Sequence, residues 1–360
     1  MILHLVYAVP SKGHAGRFKR IVYRRLQQLG LCVCSFGDRS KPNTSWWPKK
    51  SPYENTKNIF QELSSTIPVK LYSLDEEAGC LFSSEDIFLG HPSFPYRAGR
   101  KGVTELSINQ AVRPRIFALI SPLHCDVKIK TNHINKDYLD AIDRLLPQAD
   151  ILFGIMGEYW WDQWPSSPFG HWMPKMVRLD MAIDVEHFPR LKTRFNQPGK
   201  RGYLYIGRND TMKGASFLSR LMCRLGPCKC GWVGSGPDIE GVPRISKARA
   251  LTPDFMTKVA QDFDIFVSPS VADPNPTTIL ESMAWGFPVT CTPESGYYKT
   301  SYRRNIYQDD FDRSIEVLRQ LQFADERELK KMANDARDVV ERKYTWERFT
   351  GVICDRLDLK

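Results

Sequence analysis

Short apolar runs alternate with amphipathic stretches along most of the chain. Leu3–Val9, Cys32–Phe36, Val69–Tyr72, Asp86–Gly90, Arg115–Leu123 and Ala149–Ile155 read as buried strands. Arg17–Leu29, Asn58–Ser65, Val103–Val112 and Asn135–Leu146 read as helices between them. Residues 157–175 break the rhythm, with five aromatic residues before His171 and with Pro165 and Pro168. The polar stretch Thr193–Lys200 reads as a linker, and a second alternating set opens at Gly202–Gly207. It includes the buried run Asp264–Val267 and a helix starting near Thr277 or Thr278, whose hydroxyls suit a cap. A long amphipathic helix, Glu326–Arg342, follows. Alternating elements predict parallel sheets covered by helices. The expectation is therefore an α/β chain of two doubly wound, Rossmann-like parallel-sheet domains facing across a cleft. Their bounds are 1–192 and 193–344, with residues 345–360 packing back on the first. Ligands would sit at the carboxyl edges of the strands.

Composition fits this picture. The 360 residues are 42% hydrophobic, enough for two cores. No apolar run approaches a membrane span, and Met1–Pro10 is too short and uncharged for a signal peptide. Nine cysteines are scattered without the paired spacing of a zinc site, which predicts reduced thiols and a cytoplasmic setting. The net charge of +10 implies anionic partners. Lys12, Arg17, Lys19, Arg20, Arg24 and Arg25 crowd one expected helix and the loop before it. That segment reads either as a solvated basic face or as a dock on the anionic cytoplasmic face of a membrane. No recognition motif for nucleic acid accompanies the charge.

The chemistry concentrates in the second half. Gly207-Arg208 ends an expected strand, and Lys213-Gly214 follows at an expected helix start. A guanidinium and an ammonium at one sheet edge can clamp a diphosphate and neutralise charge as it leaves. Gly231-Trp-Val-Gly234-Ser-Gly236 reads as a strand running into a glycine loop. Asp273 and Glu281 stand eight residues apart, the first in a loop and the second about one turn into a helix. Two acceptors flanking a helix amino end suit a nucleotide sugar, which offers sugar hydroxyls on one side and ribose hydroxyls on the other. Alternatively, this is a strand–loop–helix of any α/β protein, with a solvated Asp and a capping Glu.

The segment Asp273-Pro-Asn275-Pro276-Thr277-Thr278-Ile-Leu-Glu281-Ser-Met-Ala-Trp-Gly286-Phe-Pro288-Val resembles the acidic–x7–Glu motif of GT-B glycosyltransferases, in particular retaining family 4. Asp273 replaces the commoner Glu, and Asn275-Pro276 a usual Phe-Gly. The Arg208/Lys213 pair, the glycine loop and Tyr344-Thr-Trp346-Glu resemble further motifs of that family in order and place. The resemblance implies transfer of a sugar from a UDP- or GDP-sugar to a glycan or lipid-linked acceptor, with retention and no obligatory metal. It implies that Arg208 and Lys213 hold the diphosphate, Asp273 the donor sugar and Glu281 the ribose. Gly234, Asn275, Thr277 and Thr278 join them on the donor side.

In the first half, Gly13 and Gly16 after the first strand let backbone approach the donor. His124 stands where the family often has a catalytic-site histidine; His91 and His133 are the other candidates, for acceptor binding. Glu158 and Trp160, within an aromatic run, suit an acceptor wall or a packing cluster. Asp262-Phe-Asp264 and Asp310-Phe-Asp312 match a metal-binding string of a different glycosyltransferase fold and read here as accidental. A catalytically weak binding scaffold and a sugar-nucleotide epimerase are the alternatives.

Overall fold

A computed structural model describes residues 3–7, 69–73, 83–90, 112–126, 139–140, 142–247, 251–297 and 302–359. The expected elements at 17–29, 32–36, 58–65 and nearly all of 103–112 lie outside these residues. The chain divides into two compact units. One comprises Met1–Ile155, Trp164–Leu179 and Phe349–Lys360; the other comprises Met156–Gln163 and Asp180–Arg348.

The first unit holds a six-stranded, all-parallel sheet. Its strands are β1 (Leu3–Tyr7), β2 (Val69–Ser73), β3 (Ile87–Gly90), β4 (Ile116–Pro122), β5 (Ile151–Ile155) and β6 (Met176–Leu179). They lie in the order β2-β1-β3-β4-β5-β6. All four β3 residues are buried, as expected of a parallel strand covered on both faces. Between β5 and β6 the sequence reads as irregular. The structure instead forms a helix, Gly157–Gln163, in the second unit, followed by 3-10 turns in the first. Those turns close around Trp164, Phe169 and Trp172, whose ring centroids lie 4.8–6.1 Å apart.

The second unit repeats the architecture with β7 (Tyr203–Ile206), β8 (Cys230–Val233), β9 (Arg244–Ser246), β10 (Ile265–Ser268), β11 (Val289–Cys291) and β12 (Arg303–Asn305). Their order is β12-β11-β10-β7-β8-β9, again all parallel. Alternating residues feed two cores, one on each face. Leu204, Ile206, Val233, Phe266 and Val289 meet the helices Pro253–Asp262 and Thr277–Trp285 on one side. Tyr203, Tyr205, Trp232, Ile265 and Val267 meet Ala215–Leu225 and Phe311–Phe323 on the other. Glu326–Lys343 contributes Ala336 and Val340 to the first core and Leu329 and Met332 to the second.

The polar stretch after residue 192 is pinned to the second sheet. Lys192 Nζ lies 2.8 Å from Asp264 Oδ1, and both side chains are almost fully buried. Asp264 also accepts from the backbone N–H of Asn196 (2.8 Å) and of Gly202 (3.0 Å). Asp264 therefore has a structural partner. In the other Asp-x-Asp string, Asp310 caps the helix Phe311–Phe323 by accepting from Arg313 N–H. No helix among the described residues is long and apolar enough to cross a membrane.

Candidate functional site

The site grows from the carboxyl ends of β7, β8, β10 and β11. Parallel pairing sets Leu204 beside Phe266, Ile206 beside Val233, and Ser268 beside Cys291, so the loops after these strands leave one edge together. After β7, the exposed Arg208 guanidinium lies 3.1 Å from Asp210 Oδ2. Asp210 also caps the turn Thr211–Lys213, accepting the Lys213 N–H at 3.0 Å. Gly214 ends that turn at φ +71°, and a Cβ there would stand 1.8 Å from the Pro269 carbonyl oxygen. The Met212 carbonyl accepts the N–H groups of Val271 (2.8 Å) and Ala272 (3.2 Å). The turn is thus seated on the loop after β10, and the Lys213 ammonium forms an ion pair with the Asp273 carboxylate. Both groups are largely enclosed, at 24% and 9% exposure.

The glycine loop after β8 closes on the same edge. A Cβ on Gly234 would lie 1.8 Å from Gly207 O. Asn209 N–H donates to Ser235 O at 2.8 Å, and its side-chain amide to Pro237 O at 2.9 Å. Beneath, Tyr205 Oη donates to Arg208 O at 2.8 Å. Burial, together with nearby Asp210 and Asp273, holds that phenol well above its usual range, so it stays a neutral donor.

The acidic loop is braced from three sides. Asp273 N–H donates to Glu294 O at 3.0 Å, in the turn after β11. Asn275 is buried; its Oδ1 accepts the Met181 N–H at 2.5 Å, while its Nδ2 finds no acceptor among the described residues. Trp160 Nε1 lies between two carbonyls, at 3.2 Å from Asp273 O and 3.0 Å from Glu294 O. The helix Thr277–Trp285 then begins where expected, but neither threonine caps it. Pro276 is the cap residue and no side chain caps the helix end. Thr277 and Thr278 are its first two residues, half-buried, and Glu281 lies half-buried one turn further in. Pro276 fits the cap because its ring fixes φ, here −66°, while its missing N–H removes one donor from the loop. An uncapped first turn leaves N–H groups, and the positive end of the helix dipole, for an anion.

One edge therefore gathers Arg208, Lys213, Gly234, Asp273, Asn275, Thr277 and Thr278, with Glu281 in the helix that rises from it. Cations and a helix end can hold phosphate; the carboxylates can accept from hydroxyls. Of the two readings of Trp160, an acceptor wall or a packing cluster, its burial favours the second: the ring is buried, and its N–H is engaged by protein carbonyls. Glu158 is half-buried in the first turn of the same short helix. His124 belongs to the first unit, buried, two residues past β4 at that sheet's carboxyl edge. Gly13, Gly16, His91 and His133 lie outside the described residues. Sequence reasoning missed Asp210 and Glu294. Asp210 sits inside the Arg208–Lys213 spacing, where a cap before a turn is a recognisable signal. Glu294 meets Asp273 and Trp160 through its backbone carbonyl, which leaves no signal in the residue type.

No protein-family model matches the chain. Sulfoquinovosyl transferase SQD2 of Arabidopsis thaliana is 26% identical over 180 residues, which is 46% of this chain and 34% of that protein. The chain thus spans about a third of the length of the curated relative it matches. Among solved structures, sucrose-phosphate synthase from Thermosynechococcus elongatus superimposes with a TM-score of 0.60 at 14% identity, over 99% of this chain and 98% of that one. The E. coli trehalose-6-phosphate structure bound with UDP-2-fluoro glucose gives 0.59 at 11%, over 100% and 99%. WaaG, a glycosyltransferase involved in lipopolysaccharide biosynthesis, gives 0.54 at 12%, over 99% of each chain. The chain has the GT-B fold. The GT-B resemblance read from the acidic motif agrees with this, and the two all-parallel sheets are its two domains' cores.

Proposed function

We propose that this GT-B chain is a retaining glycosyltransferase, which moves a sugar from a nucleoside diphosphate sugar to a hydroxyl of a glycan or glycolipid acceptor. The observation that carries the reading is the convergence of Arg208, Lys213, Asp273 and an uncapped helix end on one sheet edge. The relative SQD2 is a sulfoquinovosyl transferase, and one similar structure holds UDP-2-fluoro glucose, which favours a UDP-sugar as donor. The diphosphate would lie against the first turn of the helix Thr277–Trp285, between Arg208 and Lys213, with ribose at Glu281 and the donor sugar at Asp273. The anomeric C–O bond to phosphate breaks as the acceptor oxygen bonds to that carbon on the same face. The leaving phosphate oxygen takes the acceptor proton, and Arg208 and Lys213 stabilise the charge left on the diphosphate. His124 would bind the sugar or the acceptor. The basic segment Arg17–Leu29 would bring the enzyme to anionic lipid at a cytoplasmic membrane face, where a lipid-linked acceptor resides.

The test is turnover of a panel of UDP- and GDP-sugars with glycan and glycolipid acceptors, with the product anomer read by NMR. Retained configuration and release of the nucleoside diphosphate are expected. Binding without turnover of any donor would mark a scaffold, and an epimerised sugar with no acceptor product would mark an epimerase.

A further inference from the structure

The helix Gly157–Gln163 belongs to the donor-side unit, although it is flanked in sequence by two stretches of the other unit. Its contacts converge on the acidic loop. The Trp160 indole N–H is shared between Asp273 O and Glu294 O, which joins the loop after β10 to the turn after β11. Tyr159 N–H donates to Gly296 O at 3.3 Å, and Tyr159 Oη lies 3.4 Å from Glu294 Oε1. Gly157, at φ +69°, lies so close that a Cβ would stand 2.4 Å from Gly296 O and 2.6 Å from Asn275 Nδ2. Three residues of this helix, Gly157, Tyr159 and Trp160, thus brace the loop that carries Asp273 and the turn after β11 beside it.

We infer that Trp160 is a positioning residue for Asp273: its indole N–H fixes the loop carbonyl so that the carboxylate meets the donor sugar, and it does not serve the nucleotide. The inference rests on the glycosyltransferase reading. A buried carbonyl without its donor pulls toward another partner, and the loop shifts to supply one. A shift of about an ångström at the reacting centre slows turnover steeply, whereas the nucleotide keeps its contacts to Arg208, after β7, and to Glu281, one turn inside the helix, so its affinity falls less than kcat.

The test replaces Trp160 with Phe, which keeps a large ring and removes the N–H. Two quantities are compared with wild type: kcat for the fastest donor of the panel, and affinity for the matching nucleoside diphosphate by calorimetry. We expect kcat to fall about ten- to a hundredfold and the nucleoside diphosphate affinity to stay within about threefold, as loss of hydrogen bonds that orient one carboxylate predicts. Trp160→His, which restores an N–H donor, should recover part of kcat. Gly157→Ala, which pushes the same brace outward, should reproduce the kcat-selective loss if Trp160→Phe proves poorly folded. A purely structural role would lower both quantities together with the folded fraction, and would overturn the inference. So would a wild-type kcat in Trp160→Phe. If wild-type protein turns over no donor, the glycosyltransferase reading itself fails. If wild type is active and the variants are unaffected, only the positioning role fails.

Discussion

Lys213→Met removes the cation that pairs with Asp273 and also one arm of the diphosphate clamp. The sequence alone places Lys213 at a cleft surface, where its loss should change folding little. The structure encloses it: Lys213 is 24% exposed and its partner 9%. Breaking a fully buried pair costs about 3–5 kcal/mol, and partial exposure of Lys213 reduces this to about 1–3 kcal/mol here. For a unit of this size that lowers Tm by about 3–10 °C. Lys213→Met with Asp273→Asn removes both charges, so most of the stability should return while activity does not. Turnover should fall about 10²- to 10³-fold in the single variant, the scale of one lost preorganised donor, and at least as far in the double. Urea melts followed by circular dichroism, with turnover measured on the same samples, read both effects. A double variant no more stable than the single would refute the charge-pair argument. Unchanged turnover in Lys213→Met would refute the clamp.

Arg208→Ala should leave the urea midpoint unchanged, because the guanidinium is 68% exposed, yet lower turnover about 10²- to 10³-fold. Gly214→Ala should destabilise by about 1–3 kcal/mol, through left-handed strain and a Cβ driven against Pro269 O; a wild-type melt would show that the two loops part freely. Asp264→Ala strands the buried Lys192 ammonium and should cost about 3–5 kcal/mol while kcat per folded molecule is kept; a loss of kcat larger than the loss of folded protein would contradict this. His124→Ala should reduce kcat more than nucleoside diphosphate affinity; equal loss of both would assign it to the core of the first sheet.

The donor-side sheet was legible because its strands are apolar on both faces, and a run such as Ile265–Ser268 has no other place to go. The Arg208–Lys213 spacing was legible because a glycine at a strand end and a lysine–glycine step both leave a mark in residue type. Three things were hidden. The helix cap falls on Pro276 rather than Thr277, since a fixed φ at the end of a rigid loop prevails over a hydroxyl's capping preference. Asp264 looked accidental because its partner Lys192 is distant in sequence and meets it only in the folded state. Trp160 was read as an acceptor wall or a packing residue, whereas its N–H meets two backbone carbonyls, which no residue type advertises.

The division of the chain into interleaved segments bears on how it is made. The first unit's last piece, Phe349–Lys360, leaves the ribosome after both sheets have been synthesised, and the helix Gly157–Gln163 leaves long before the β10 and β11 loops it braces. The first unit therefore cannot be complete until the second has been translated, and strict domain-by-domain folding from the amino end does not suit this chain. The short aromatic helix waits for the loop and turn that accept from Trp160 until more than a hundred further residues, 164–272, have been added. A ribosome stalled before residue 273 would present that helix to solvent, and chaperone binding to such a nascent chain should map to it.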